Sequence, residues 1–265
     1  MMTLKRRILS LTGVKNFRDM GGYTSADGRT MRWGHIFRSG HLSDLTDECG
    51  IEMLARDIET VIDFRSDREK ERHTVHWPKC WIPDYHSISI GGNAAAWVQE
   101  LYDRIAVTDF PAQELREQFL LAFRTIPLEN TDGLKGFFNR LIDDHKGNAM
   151  LFHCTAGKDR TGIAAALLMH ALDVNDEQIM HDFMLTNKAV DLDESSEKVA
   201  QWLSNKAKRT IQATDVLPLV GVEPAFLEAS FTTIKNTYGT IDAYLEEALD
   251  MPAKRRETLK NLFLA

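Results

Sequence analysis

Residues 149–172, AMLFHCTAGKDRTGIAAALLMHAL, constrain the fold more than any other stretch of the chain. AMLFHC is an unbroken apolar run of strand length, and such a run fits a strand covered on both faces. The alanines and leucines after Arg160 have the composition of a buried helix. A buried strand joined to a buried helix by five residues is one half of a βα unit. The expectation is therefore an α/β fold: a central, mostly parallel sheet flanked by helices, with this strand near its middle.

The remaining sequence fits that frame. At 265 residues the chain suffices for one large core. ETVIDFRS (59–66) is a β-branched run ending in charge, and KCWIPDYHSISI (79–90) is a second extended segment in which Pro83 disfavours helix; both are expected to be strands. From Ala94 the period changes. Trp97, Val98, Leu101, Tyr102 and Ile105 share one helical face; Leu115, Phe119, Ala122, Phe123 and Ile126 share another after Pro111; Leu134, Phe137, Phe138, Leu141 and Ile142 share a third. Beyond Asn175 the pattern stays helical to the C-terminus, with Thr240 an N-cap for IDAYLEEAL.

Composition excludes several functions. A net charge of −7 disfavours a nucleic-acid binder, which needs a basic surface against backbone phosphates. No apolar run approaches a membrane span, and MMTLKRRILSLTGV has too short an apolar core for a signal peptide. The expected location is the cytoplasm, with secretion by a route that needs no signal peptide left open. Cys49, Cys80 and Cys154 match neither a disulfide framework nor a zinc site. His73, His76 and His86 lack the partners of a metal centre. No metal and no cofactor is expected.

The turn between strand and helix carries the chemistry. Cys154 closes the strand, and Thr155, Ala156, Gly157, Lys158 and Asp159 must turn tightly with N–H groups pointing inward, which makes an anion-binding nest at a positive helix end. Gly157 permits unusual backbone angles or close approach, and Gly162 lets the first helical turn pack closely on the sheet. The nest and the Arg160 charge favour a thiolate on Cys154, to which the Thr161 hydroxyl could donate. A phosphate suits the same groups, its oxygens taking the loop N–H groups and the planar fork of Arg160. In-line attack by sulfur would transfer the phosphoryl group to Cys154, and water would then release it. His153 is expected to be buried and to hydrogen-bond the loop backbone, and Asn16, Arg18, Asp19, Gly21 and Gly22 to form a polar turn supporting the site.

HCTAGKDRTG resembles the HC-x5-R-[ST]-G signature of cysteine-dependent phosphatases, with Cys154, Arg160 and Thr161 matching position by position. NFRDMGGY (16–23), FRSGHL (37–42), IDFRSDREKE (62–71) and YGTIDAYL (238–245) are similar, in order, to motifs of the bacterial atypical tyrosine/lipid phosphatases, a family that includes secreted mycobacterial and Listeria enzymes. The likeness spans nearly the whole chain. It implies a single phosphatase domain over 1–265 with a protein-tyrosine-phosphatase-like fold, a helical lid inserted at about 94–126, and a phosphorylated protein or phosphoinositide as substrate. A sulfurtransferase, an arsenate reductase or a non-catalytic phosphate-binding module are the competing classes, disfavoured by the Arg160-Thr161-Gly162 sequence and by the intact Cys–Arg pair.

Two roles rest on the resemblance. The usual place for the general acid, after YHSISI, reads GGNAAAW and holds no carboxylate, so Asp159 inside the loop is the expected acid, with Asp63, Asp67 and Asp84 as alternatives. Lys158 resembles the loop lysine of phosphoinositide phosphatases, a second cation beside Arg160; a solvated lysine with its stem on the surface is the other reading.

Overall fold

The computed structural model describes residues 6–91 and 112–265. Its sheet contains β1 (Arg18–Asp19), β2 (Ile36–Ser39), β3 (Ile58–Asp63), β4 (Asp84–Ser87) and β5 (Ala149–His153), in the spatial order β1-β2-β5-β3-β4. Only β1 runs antiparallel to its neighbour. β5 is the middle strand, as its apolar run requires. Met150 and Phe152 enter the larger core on one face, while Ala149 and Leu151 enter a smaller core with Phe17, Phe37 and Trp81 on the other. Successive side chains on a strand point to opposite faces, so a strand covered twice reads as continuously apolar.

Helix α1 (Asp47–Ala55) covers the smaller core, and α2 (Asp67–Arg72) follows β3. The larger core is built from α3 (Ala112–Glu129), α4 (Thr131–Asp143), α5 (Asp159–Ala171) and α6 (Asp176–Ala189), together with α9 (Pro224–Tyr238), α10 (Ile241–Glu247) and α11 (Ala253–Phe263). Between them, α7 (Leu192–Ala207), a 3-10 turn at Ala213–Val216 and α8 (Leu217–Val220) enclose a satellite core of Ala200, Leu203, Ala207, Ile211 and Val216. The spacing of Leu115, Phe119, Ala122, Phe123 and Ile126 is realised: all five are buried along α3, which continues through Pro127. Residues 94–111 of the expected lid lie outside the described residues; 112–126 belong to α3, whose buried face joins the larger core. Thr240 caps α10, its hydroxyl accepting from the Ala243 N–H at 3.0 Å.

Two strands are shorter than the sequence implied. β3 stops at Asp63 instead of continuing to Ser66, because Asp63 Oδ1 accepts the Arg65 N–H at 2.9 Å and turns the chain out of the sheet. Of residues 79–90 only Asp84–Ser87 form a strand. Trp81 instead turns inward, 3% exposed, with Nε1 donating to the Ile58 carbonyl at 2.6 Å. No helix among the described residues is long and apolar enough to cross a membrane.

Candidate active site

Cys154 is the first residue beyond β5, 2% exposed, and α5 begins at Asp159. The loop between them is shaped by what happens to its carbonyls. The Thr155 carbonyl accepts from the His41 N–H at 3.0 Å. Those of Ala156 and Gly157 accept from Asn16 Nδ2 at 3.3 and 2.9 Å, and Gly157 also accepts from Arg38 Nη2 at 2.9 Å. In a trans peptide the C=O and the following N–H point in opposite directions. Three carbonyls drawn outward therefore turn the N–H groups of Ala156, Gly157 and Lys158 inward, and none of these has an acceptor among the described residues. The result is a nest of free donors in the loop that directly follows Cys154.

Gly157 makes this turn possible, with φ at +67° and so little room that a Cβ would lie 2.3 Å from the Ser39 carbonyl oxygen. Gly162 serves a different packing from the one expected, since its missing Cβ admits the Phe183 ring of α6 rather than the sheet. Asn16, itself at φ +56° where asparagine is tolerated, is held by Arg18 Nη1. Arg18 and Arg38, both fully buried, converge on Asp182 of α6, with Arg38 Nη1 2.6 Å and Arg18 Nη2 3.8 Å from Oδ2. Tyr23 Oη donates to the other oxygen at 3.1 Å. Burial alone would raise the Asp182 carboxyl, but Arg38 and Arg18 hold it below its ordinary value. Asp19 accepts the N–H groups of Gly21 and Gly34, each at 2.8 Å, fixing the polar turn. The motifs NFRDMGGY and FRSGHL thus form the floor on which the loop lies.

The charged side chains of the loop are each engaged. Lys158 is neither solvated nor on the surface: it is 2% exposed, and Nζ lies 2.9 Å from Asp159 Oδ1, 2.9 Å from the Pro218 carbonyl and 4.0 Å from the Phe119 ring centroid. Arg160 Nη1 and Nη2 donate to Glu69 Oε2 and Oε1 at 2.8 and 2.6 Å, and Thr155 Oγ1 donates to Oε1 at 2.5 Å. Burial opposes the charge on Arg160, yet Glu69, the neighbouring Cys154 and Asp159 raise it above its ordinary value. Glu69, conversely, is held far below the carboxylate range by Arg160 and Thr155 despite its burial.

Thr161 Oγ1 is buried without a hydrogen-bond partner, so the structure does not link it to the sulfur. His153 is fully buried, and Nδ1 lies 3.1 Å from the Cys154 carbonyl, the donor role that acceptor requires. Burial lowers its imidazole below the ordinary value, against the opposite pull of Asp63, whose Oδ2 lies 3.7 Å from Nε2. Among the alternative acids, Asp63 is buried against Arg65, with Tyr85 Oη donating at 2.8 Å, and its carboxyl is held low. Asp84 begins β4, the end of the sheet opposite to Cys154, and Asp67 is exposed and paired with Lys70. Asp159 alone of the four lies in the loop. Glu69 is the site residue that reading the sequence missed.

A family model described as the tyrosine phosphatase family matches residues 9–265. The chain belongs to this family. A Cupriavidus necator protein named as a tyrosine-protein phosphatase is 31% identical over 259 residues, covering 93% of this chain and 85% of the relative. The triple specificity protein phosphatase PtpB of Mycobacterium tuberculosis is 27% identical over 272 residues, with 91% and 94% covered. A tyrosine-protein phosphatase of Nostoc commune is 30% identical over 149 residues, 56% of this chain and 47% of its own length. Membership in this phosphatase family removes the sulfurtransferase, arsenate-reductase and non-catalytic readings. The enzyme is a phosphatase, and its family uses a cysteinyl-phosphate intermediate.

Proposed function

We propose that this phosphatase hydrolyses phosphotyrosine in proteins through Cys154. The observation that carries the reading is that the carbonyls of the loop after Cys154 are pinned from behind while the N–H groups of Ala156, Gly157 and Lys158 are left without acceptors among the described residues. The thiolate attacks phosphorus, forming an S–P bond as the P–O bond to the tyrosyl oxygen breaks. Arg160 and the loop donors hold the equatorial oxygens, and Asp159 gives its proton to the departing oxygen. Water then attacks phosphorus, the S–P bond breaks, and the water's proton passes to the Asp159 carboxylate. The helical lid at about 94–126 is retained as part of this proposal: within it the Phe119 ring of α3 meets Lys158 of the loop, and the lid would cover bound substrate.

Phosphoinositides are the second class. The name of the mycobacterial relative, triple specificity, supports a range broader than one phosphomonoester. Against a polyanionic lipid stands the engagement of Lys158, whose charge is spent on Asp159 and the Pro218 carbonyl. Steady-state hydrolysis of phosphotyrosyl peptides and of phosphoinositide vesicles, with Cys154→Ser as control, tests the proposal. Higher kcat/KM on the peptides supports it; a preference for the vesicles, or turnover by Cys154→Ser, overturns it.

A further inference from the structure

The parallel strands have a crevice at the edge where they begin. Asp57 and Glu59 flank Ile58, the first residue of β3, Asp84 opens β4, and Asp144 and Lys146 lie on the turn into β5. Because β3, β4 and β5 run parallel, these residues share one edge of the sheet, and the catalytic loop leaves the other. With Thr60, Trp81 and Met150 they line a cavity of about 300 Å³. Along β5, Met150 stands about 13 Å from Cys154, at roughly 3.3 Å per residue. Ligand pockets begin at about this size, so the cavity has room for one long side chain.

Its charge is unbalanced. Asp84 and Asp144 are served from within the protein: His86 Nε2 lies 3.4 and 3.6 Å from them, Lys146 Nζ 4.0 Å from Asp84, and Arg140 Nη1 2.8 Å from Asp144. Asp57 and Glu59, both exposed, form no ion pair among the described residues. No three carboxylate, imidazole or thiol groups among the described residues are placed to hold a metal ion. Thr60 gives an independent sign of a ligand. It is 7% exposed and lines the cavity, yet its hydroxyl has no hydrogen-bond partner among the described residues. A polar group so buried costs stability until a partner reaches it. The rim is apolar, with Leu54 and Ile82 lining the same cavity at 58% and 75% exposure.

An arginine side chain matches each of these features. Its guanidinium carries five donors, sheds water more readily than an ammonium, and packs on aromatic rings as well as on carboxylates. Asp57 and Glu59 supply the charge, Thr60 a further acceptor and Trp81 an aromatic wall. A free amine would leave Leu54 and Ile82 bare, whereas a peptide would cover them with the residues beside its arginine. Arginine anchors of protein interfaces sit in pockets ringed by such contacts. We propose that this cavity binds an arginine of a partner protein, with the apolar residues flanking that arginine covering Leu54 and Ile82, as a docking site separate from the catalytic loop.

The probe is a fluorescein-labelled Gly-Leu-Arg-Leu-Gly peptide, its binding followed by anisotropy. Saturable binding is expected, weakened at least about tenfold when citrulline replaces the arginine, and equally when Asp57→Asn and Glu59→Gln are combined. Asp57 has φ +57°, which asparagine also tolerates, and neither carboxylate is paired, so the double variant should keep its Tm and its kcat on p-nitrophenyl phosphate. Cys80, exposed on the cavity wall, gives a second reading in the unaltered protein: saturating peptide should slow its alkylation by iodoacetamide at least about fivefold. Equal binding of the citrulline peptide, an unchanged rate at Cys80, or no saturable binding below about 1 mM overturns the proposal. Loss of binding in saturating inorganic phosphate also overturns it, by moving the peptide to the catalytic loop. Arginine amide bound as tightly as the peptide overturns it by making the site one for free cations.

Discussion

Gly157→Ala tests the geometry that makes the loop a nest. The added methyl carbon would meet three backbone atoms at the end of β2: the Ser39 oxygen at 2.3 Å, the Ser39 carbon at 2.4 Å and the Gly40 nitrogen at 2.6 Å. None of these is the movable end of a side chain, so the loop must withdraw by about 1 Å to restore ordinary contact. That movement stretches the bonds from Arg38 and Asn16 to the Gly157 carbonyl, both now 2.9 Å. Left-handed backbone costs an alanine about 1 kcal/mol, and each weakened bond about 1 kcal/mol more, with the guanidinium bond at the upper end. The sum is about 3 kcal/mol, or a fall of some 6–12 °C in Tm at roughly 2–4 °C per kcal/mol.

Activity should fall further than stability suggests, because an ångström of misplacement in a reacting site costs about a hundredfold in rate. Gly28→Ala provides the control. Gly28 also has positive φ, at +88°, but nothing lies within 4 Å of its added carbon. It should lose about 1 kcal/mol from backbone strain and keep its kcat. Thermal melts and p-nitrophenyl phosphate turnover of the two variants are the assay. If Gly157→Ala matches Gly28→Ala in both readouts, carbonyl pinning does not shape the site and the reasoning fails.

Asp159→Asn should slow phenyl phosphate, whose leaving group needs a proton, at least about tenfold more than p-nitrophenyl phosphate; equal slowing would make Asp159 structural. Lys158→Met keeps apolar contact with Phe119 but removes the ammonium shared by Asp159 and Pro218, so kcat/KM on phosphotyrosyl peptide and phosphoinositide should fall by the same factor. A selective loss on the lipid would show that Lys158 reaches substrate after all. Burial lowers the His153 imidazole from an ordinary 6.5. Above that value neither folded nor unfolded chain carries the proton; below it the unfolded chain binds a proton that the folded chain resists, so stability falls as pH drops from 6.5 toward the folded value. Urea midpoints at several pH values should show a shallower acid slope for His153→Asn than for wild type, and identical slopes would contradict the lowering of its imidazole by burial.

The strand, loop and helix from Ala149 to Ala171 were legible because their burial is local and leaves a mark on every residue. Cys154 and Arg160 could be paired from spacing, since one short turn brings them together. β2 was harder to read, because IFRS places an arginine on a core-facing position. That arginine is tolerated only because Asp182, 144 residues away, meets it. Nothing in FRSGHL announces such a partner. Glu69 did leave a signal, the Ser66-x-x-Glu69 spacing of a capping box, but that spacing reports a helix start and not the direction in which the carboxylate points. The engagement of Lys158 with the carbonyl of Pro218, 60 residues on, leaves no sequence trace, because every residue has a carbonyl.

Acid quenching of the enzyme during turnover of p-nitrophenyl phosphate, followed by peptide mass spectrometry, tests the central claim most directly. The account predicts one phosphoryl group on the peptide containing Cys154, at higher occupancy in Asp159→Asn, where the group that would activate water is missing, and none in Cys154→Ser. Sustained turnover with the Cys154 peptide unmodified at every quench time, or a phosphoryl group on another residue, would contradict it.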